Sequence, residues 1–118
     1  MGMETTEGNT LVIVSAEQMG RGDEALGAKL LASFLRTLTG IDPKPDALVF
    51  YNAAVKLLGP DSASLDALRQ LDETGVDLLA CVTCLEFFDL TKRIQVGRVS
   101  NMREIVQRML AAAKVVTV

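Results

Sequence analysis

Short apolar runs alternate along this chain with segments whose apolar residues recur every three or four positions. Thr10-Leu-Val-Ile-Val-Ser15 is a continuous β-branched run with no polar alternation, the pattern of a strand covered on both faces. Met19-Gly-Arg-Gly22 then interrupts the chain. Asp23 and Glu24 suit the first turn of a helix, where carboxylates meet the positive end of the dipole. Leu26, Leu30, Phe34, Leu35 and Leu38 form its expected apolar stripe, and Gly40 ends it. Asp42-Pro-Lys-Pro45 is a stiff connection, since each proline disfavours helix in the residue before it. Ala47-Leu-Val-Phe-Tyr51 reads as a second strand, followed by one or two helical turns over Ala53–Leu58 and a stop at Gly59-Pro60.

Ser62 or Ser64 caps the next expected helix, which carries Leu65, Leu68 and Leu71 on one face and ends at Gly75. Val76–Ala80 is a third strand, and a helix to about Leu90 follows it. Gly97–Ser100 is a short fourth strand running into a cap at Ser100. Met102–Ala113 is a helix with Ile105, Val106, Met109 and Leu110 inward, and Val115–Val118 is a fifth strand. Strand and helix alternating in this way predict an α/β fold. The expected architecture is a three-layer α/β/α sandwich with a five-stranded, mainly parallel sheet, flavodoxin-like in the broad sense. Residues 1–9 are polar and aperiodic and are expected to be a flexible tail, leaving one domain over 10–118.

Composition narrows the chemistry. At 118 residues, 49% hydrophobic and 23% charged, the chain can bury one core. A net charge of -3 without any Lys/Arg block argues against nucleic acid or an anionic membrane surface as partner. No apolar run approaches the roughly 20 residues of a membrane span, and no secretory signal opens the chain, so a cytoplasmic location is expected. There is no histidine, which removes Ser-His-Asp and Cys-His catalysis and the usual nitrogen ligand of zinc. Two cysteines alone do not close a structural zinc site, so neither metal nor cofactor is expected.

Both cysteines, Cys81 and Cys84, stand where the third strand becomes a helix. Sites in open α/β sheets gather beyond the carboxyl ends of the strands. Four stretches fall on that rim: Ser15–Gly22, Tyr51–Lys56, Cys81–Cys84 and Ser100–Met102. A thiol at a helix start meets unpaired N–H groups, which lowers its pKa from about 8.5 toward roughly 3.5–7.5. Cys81 is therefore the expected nucleophile, with Cys84 one turn on, slightly more enclosed and resolving it. This reading needs the Cys81 sulfur to be reachable from outside. The plain alternative makes both cysteines small core hydrophobes.

Around the pair, the expected pocket takes Met19, Gly20, Arg21 and Gly22 from the first loop and Tyr51, Asn52 and Lys56 from the second strand end. Thr83, Asn101 and Met102 complete it. Gly20-Arg-Gly22 is not a phosphate loop, because Asp23 and Glu24 would crowd an anion. Phe87, Phe88, Leu85 and Leu90 are expected to pack in the core or between subunits, and a mean hydropathy of +0.29 suits self-association.

Met19-Gly-Arg-Gly-Asp-Glu24, Phe50-Tyr-Asn52 with Val55-Lys-Leu57, Cys81-Val-Thr-Cys-Leu85 and Val99-Ser-Asn-Met102 together resemble a known family. They are similar to the C-terminal DsrE-like domain of YedF-type selenium-metabolism proteins, within the wider DsrE/F/H group. The resemblance implies a sulfurtransferase-like protein that carries sulfane sulfur as a persulfide on Cys81, in a sulfur-relay or selenium-metabolism pathway. It also implies a homo-oligomer that meets a sulfur donor or acceptor protein, such as a TusA-like one. YedF-type proteins carry their own N-terminal TusA-like domain, to which nothing here corresponds. Two other readings stay open: a thiol–disulfide redox protein or sensor using the same pair, and a non-catalytic oligomeric scaffold.

Overall fold

Five parallel strands in the order β4-β3-β2-β1-β5 make one sheet, in a computed structural model that describes residues 9–118. The tail expected over 1–9 lies, apart from Asn9, outside the described residues. The strands are β1 (Thr10–Val14), β2 (Ala47–Phe50), β3 (Asp77–Cys81), β4 (Arg98–Ser100) and β5 (Lys114–Thr117). The helices are α1 (Glu24–Thr39), α2 (Leu65–Glu73), α3 (Val82–Phe87) and α4 (Met102–Ala111), with a 3-10 helix over Asn52–Leu58.

Strand order dictates which face each helix covers. Three successive connections move the chain in one direction across the sheet, from β1 to β4, so right-handed crossovers place α1, α2 and α3 on one face. The last connection runs back from β4 at one edge to β5 at the other, which sends α4 alone to the opposite face. Two cores result. Val12, Val14, Leu48, Phe50, Leu78 and Ala80 point toward α1, α2 and the 3-10 helix. Leu11, Ile13, Ala47, Val49, Leu79 and Cys81 point the other way and meet Ile105 of α4. The sheet is thus the centre of the expected α/β/α sandwich.

Two helix faces differ from the sequence-based expectation. In α1 the buried residues are Gly27, Leu31, Leu35 and Leu38, while Leu26 and Leu30 are 55% and 45% exposed. The helix is rotated by one position because Gly27 makes a close contact. A Cβ there would stand 2.6 Å from Gln18 Cβ, and the Gly27 carbonyl accepts the Met19 N–H at 2.9 Å. In α4 only Ile105 is fully buried; Met109 is half-buried, and Val106 and Leu110 are exposed. A single helix on its face has no neighbouring helix to cover its flanks. Ends also shift: α3 stops at Phe87, and Asn101 rather than Ser100 caps α4, its Oδ1 accepting the Glu104 N–H at 2.9 Å. Ser62 Oγ accepts the Ser64 N–H at 3.0 Å before α2, whereas the Ser64 side chain makes no capping bond.

Candidate functional site

Period-2 alternation decides where the first cysteine goes. Leu79 and Cys81 share a face of β3, so Cys81 points under α4 into the smaller core, directly beside Ser100 in the β3–β4 register. It is 1% exposed and occupies the N-cap position of α3 without a side-chain capping bond. The expectation of an accessible Cys81 with a more enclosed Cys84 is therefore reversed. Cys81 is sealed, and Cys84, one turn into α3, is half-buried between the two cores. A sulfur donor cannot reach Cys81 first in this chain.

Cys84 is held by the neighbouring strand end. Its Sγ accepts the backbone N–H of Asn52 at 3.0 Å. That N–H is aimed at the sulfur because Asn52 has φ 54, a left-handed conformation that Asn tolerates better than most residues. Asn52 Oδ1 accepts the Ala53 N–H at 2.8 Å and fixes the turn that starts the 3-10 helix. Tyr51 packs with Cys84 against the smaller core. Burial pushes the Cys84 thiol above its ordinary value; the Asn52 N–H pulls it down, and the adjacent Cys81 thiol pushes it up again. The net effect on Cys84 is upward. The Cys81 side chain, at the N-cap of the six-residue α3, makes no capping bond to its first N–H groups.

The other expected pocket residues divide into those near the pair and those drawn elsewhere. Tyr51 and Asn52 are at the site, and Thr83 lies on the exposed side of α3. Asn101 is committed to capping α4, and Met102 begins that helix at 51% exposure. Met19 packs on the larger core and is tied to α1 through Gly27. Gly20, Arg21 and Gly22 border a separate hollow with Asp23 and Glu24. Lys56 turns away from the sulfurs: its Nζ sits 4.5 Å from the centre of the Phe88 ring and 3.9 Å from Glu17 Oε1.

Behind Cys81, a charged network that local sequence patterns do not display fixes β4 and α4. Arg98 donates to both Asp77 oxygens at 2.9 Å and to both Glu104 oxygens at 2.7 and 3.0 Å, while Arg108 reaches Asp77 at 2.9 Å. Ser100 Oγ donates to Glu104. Arg98 and Ser100 hold the Glu104 carboxyl at about 2, and Arg98 foremost lowers Asp77. Among the described residues no group of three or more Cys, Asp or Glu is placed to hold a metal ion. Among the described residues no helix is long and apolar enough to cross a membrane either.

Solved structures share this architecture over nearly their whole length. The protein of unknown function MTH1491 from Methanobacterium thermoautotrophicum is similar, with a TM-score of 0.69 and 21% identity over 93% of this chain and 98% of its own. The conserved protein of unknown function BT1422 from Bacteroides thetaiotaomicron gives 0.67 and 17%, over 93% and 95%. The ychN protein from E. coli gives 0.63 and 19%, over 93% and 99%. At these identities the likeness concerns the fold. No curated protein sequence matches significantly. The sequence signature of the DsrE/DsrF-like family matches residues 9–118, which include every strand, every helix and both cysteines, and the chain belongs to that family.

Proposed function

We propose that this chain handles sulfane sulfur through its cysteine pair, with Cys84 as the sulfur that first accepts it. The observation that supports this reading is the half-buried Cys84 Sγ on the carboxyl rim of the sheet, with the Asn52 N–H aimed at it from 3.0 Å. That N–H is a fixed donor for negative charge on a thiolate or persulfide. The chain's family is one associated with sulfur relay.

The chemistry is thiol exchange. The Cys84 thiolate attacks the outer sulfur of a donor persulfide, the donor's S–S bond breaks, and the donor leaves as a thiolate. Cys84 then carries the persulfide. The neighbouring Cys81 thiol can attack the inner sulfur, closing a Cys81–Cys84 disulfide and releasing hydrogen sulfide; an external dithiol resets the pair. This keeps the expected partnership of the two cysteines but exchanges their order, because Cys81 is sealed. Selenium would follow the same route, consistent with the YedF-like motifs, and a TusA-like carrier in the cytoplasm suits as donor or acceptor.

Self-association belongs to the same reading. Met102, Val106 and Leu110 stand four residues apart along α4 at 51%, 40% and 83% exposure, an apolar stripe that suits contact with a second copy.

Mass spectrometry after incubation with a cysteine desulfurase and cysteine tests the proposal. One added sulfur should map to Cys84, vanish in Cys84→Ser, and accumulate in Cys81→Ser, where the resolving thiol is missing. No adduct on reduced native protein, or an adduct confined to Cys81, would refute it. The contact between the two thiols favours a second reading, a redox pair, whose signature is a reversible disulfide of defined potential without any persulfide.

A further inference from the structure

Phe87 follows Cys84 by three residues on α3, so the two side chains stand about 60° apart around the helix and about 4.5 Å apart along it, as neighbours on one flank. Phe87 is 81% exposed, although it is the largest apolar side chain of this helix. Its ring is not loose. It meets the Phe88 ring edge-on, with centres 5.0 Å apart and planes at 86°, and Lys56 Nζ stands 4.5 Å from the centre of Phe88. Phe88 is thus held by two neighbours, and Phe87 rests against it with most of its own surface in water.

An apolar side chain in water is ordinary by itself. Its position decides what covers this one. Cys84 is half-buried, with Tyr51 packed beside it against the smaller core and the Asn52 N–H on its sulfur. The free approach to Sγ therefore lies over the outer flank of α3, where Thr83 and Phe87 are exposed. A small persulfide reaches Cys84 without touching Phe87. A folded protein that brings its own persulfide to reacting distance, roughly 3–3.5 Å, covers the neighbouring turn as well.

The charges set the kind of surface that fits. Thr83 and Asn52 are exposed and uncharged. Lys56 is committed to Glu17 and Phe88, and Glu86 stands about 160° around α3 from Cys84. The sulfur is therefore bordered by one apolar anchor in a neutral polar rim. We infer that Phe87 is the docking anchor for the protein that delivers sulfur to Cys84, a partner whose persulfide stands beside an apolar, uncharged hollow that takes the Phe87 ring. This inference rests on the proposed sulfur chemistry. The transfer itself is the one already described: the Cys84 thiolate bonds to the outer sulfur, the partner's S–S bond breaks, and the partner leaves as a thiolate. Phe87 takes no part in that step and sets only which donors reach it.

Persulfide loading, followed by mass spectrometry in the Cys81→Ser chain where the adduct accumulates, tests this with two donors, a persulfidated cysteine desulfurase and glutathione persulfide. Phe87→Ala should raise the desulfurase concentration needed for half-maximal loading by about tenfold, while loading from glutathione persulfide stays within about twofold. Phe87→Leu, which keeps Phe88 covered, should show the same split at about threefold. An equal loss with both donors, or an unchanged response to the desulfurase in both variants, would overturn the assignment. So would a loss matched by a change of oligomeric state in sedimentation, which assigns Phe87 to a second copy, or loading by glutathione persulfide alone before Phe87 is changed. No adduct from either donor would instead remove the sulfur chemistry, and this inference with it.

Discussion

Replacing Asn52 probes the backbone donor that holds Cys84. Asn52 adopts φ 54, and its Oδ1 accepts the Ala53 N–H. Alanine in that left-handed conformation costs roughly 1–2 kcal/mol. Loss of the Oδ1 bond adds about 0.5–1 kcal/mol at this exposed position. Asn52→Ala should therefore destabilise by about 2 kcal/mol. Glycine adopts the conformation freely but lacks the side-chain acceptor and loosens the unfolded chain, so Asn52→Gly should cost about 1 kcal/mol. Urea unfolding gives both values. The sulfur reports separately: alanine moves the Asn52 N–H off Sγ, so the pH at which Cys84 alkylates rises further, whereas glycine leaves it near that of the native protein. A glycine variant less stable than the alanine one, or identical alkylation profiles for both, would refute the role assigned to this turn.

Other outcomes follow from geometry already described. In native protein iodoacetamide should modify Cys84 and spare Cys81, with a rate still climbing above the ordinary thiol range because burial raises the Cys84 pKa; labelling of Cys81 at the same rate would contradict its sealing. Arg98 and Ser100 depress the Glu104 carboxyl to about 2, so its stabilisation is complete above the ordinary carboxylate pKa and is lost as pH falls toward 2. Glu104→Gln should flatten that acid limb in urea melts by no more than about 1 kcal/mol, since the pair is partly exposed. Gly27→Ala should lower stability by about 1–3 kcal/mol in thermal melts despite alanine's better helix propensity, because the new methyl lands on Gln18; a stabilised variant would show that the contact yields.

The strands were legible because buried parallel strands are unbroken apolar runs, and Val12 through Val49 and Leu79 fall where such runs predict. The phase of α1 was not, because a pattern of large apolar residues cannot show that the side-chainless Gly27 makes the closest contact. The cysteine pair was visible as chemistry, yet the same unbroken run around Leu78–Cys81 hides which side chain enters which core. Cys81 is sealed by Ile105, more than twenty residues downstream, a relation absent from local sequence. Lys56 was drawn from the site by Glu17 and Phe88. Apart from the local contact of Gly27 with Gln18, these misses are contacts between segments distant along the chain.

The pairing of β5 with β1 joins the two ends of the described chain: Thr10 lies opposite Lys114 and Leu11 opposite Val115, roughly a hundred residues apart. That zipper cannot close until the intervening elements have gathered, so it is among the costliest loop closures in the molecule and late in assembly. A chain cut before Lys114 would leave β1 as a bare edge, an adhesive border for other copies during synthesis. The last few residues therefore act as a seal against misassembly as much as a part of the sheet.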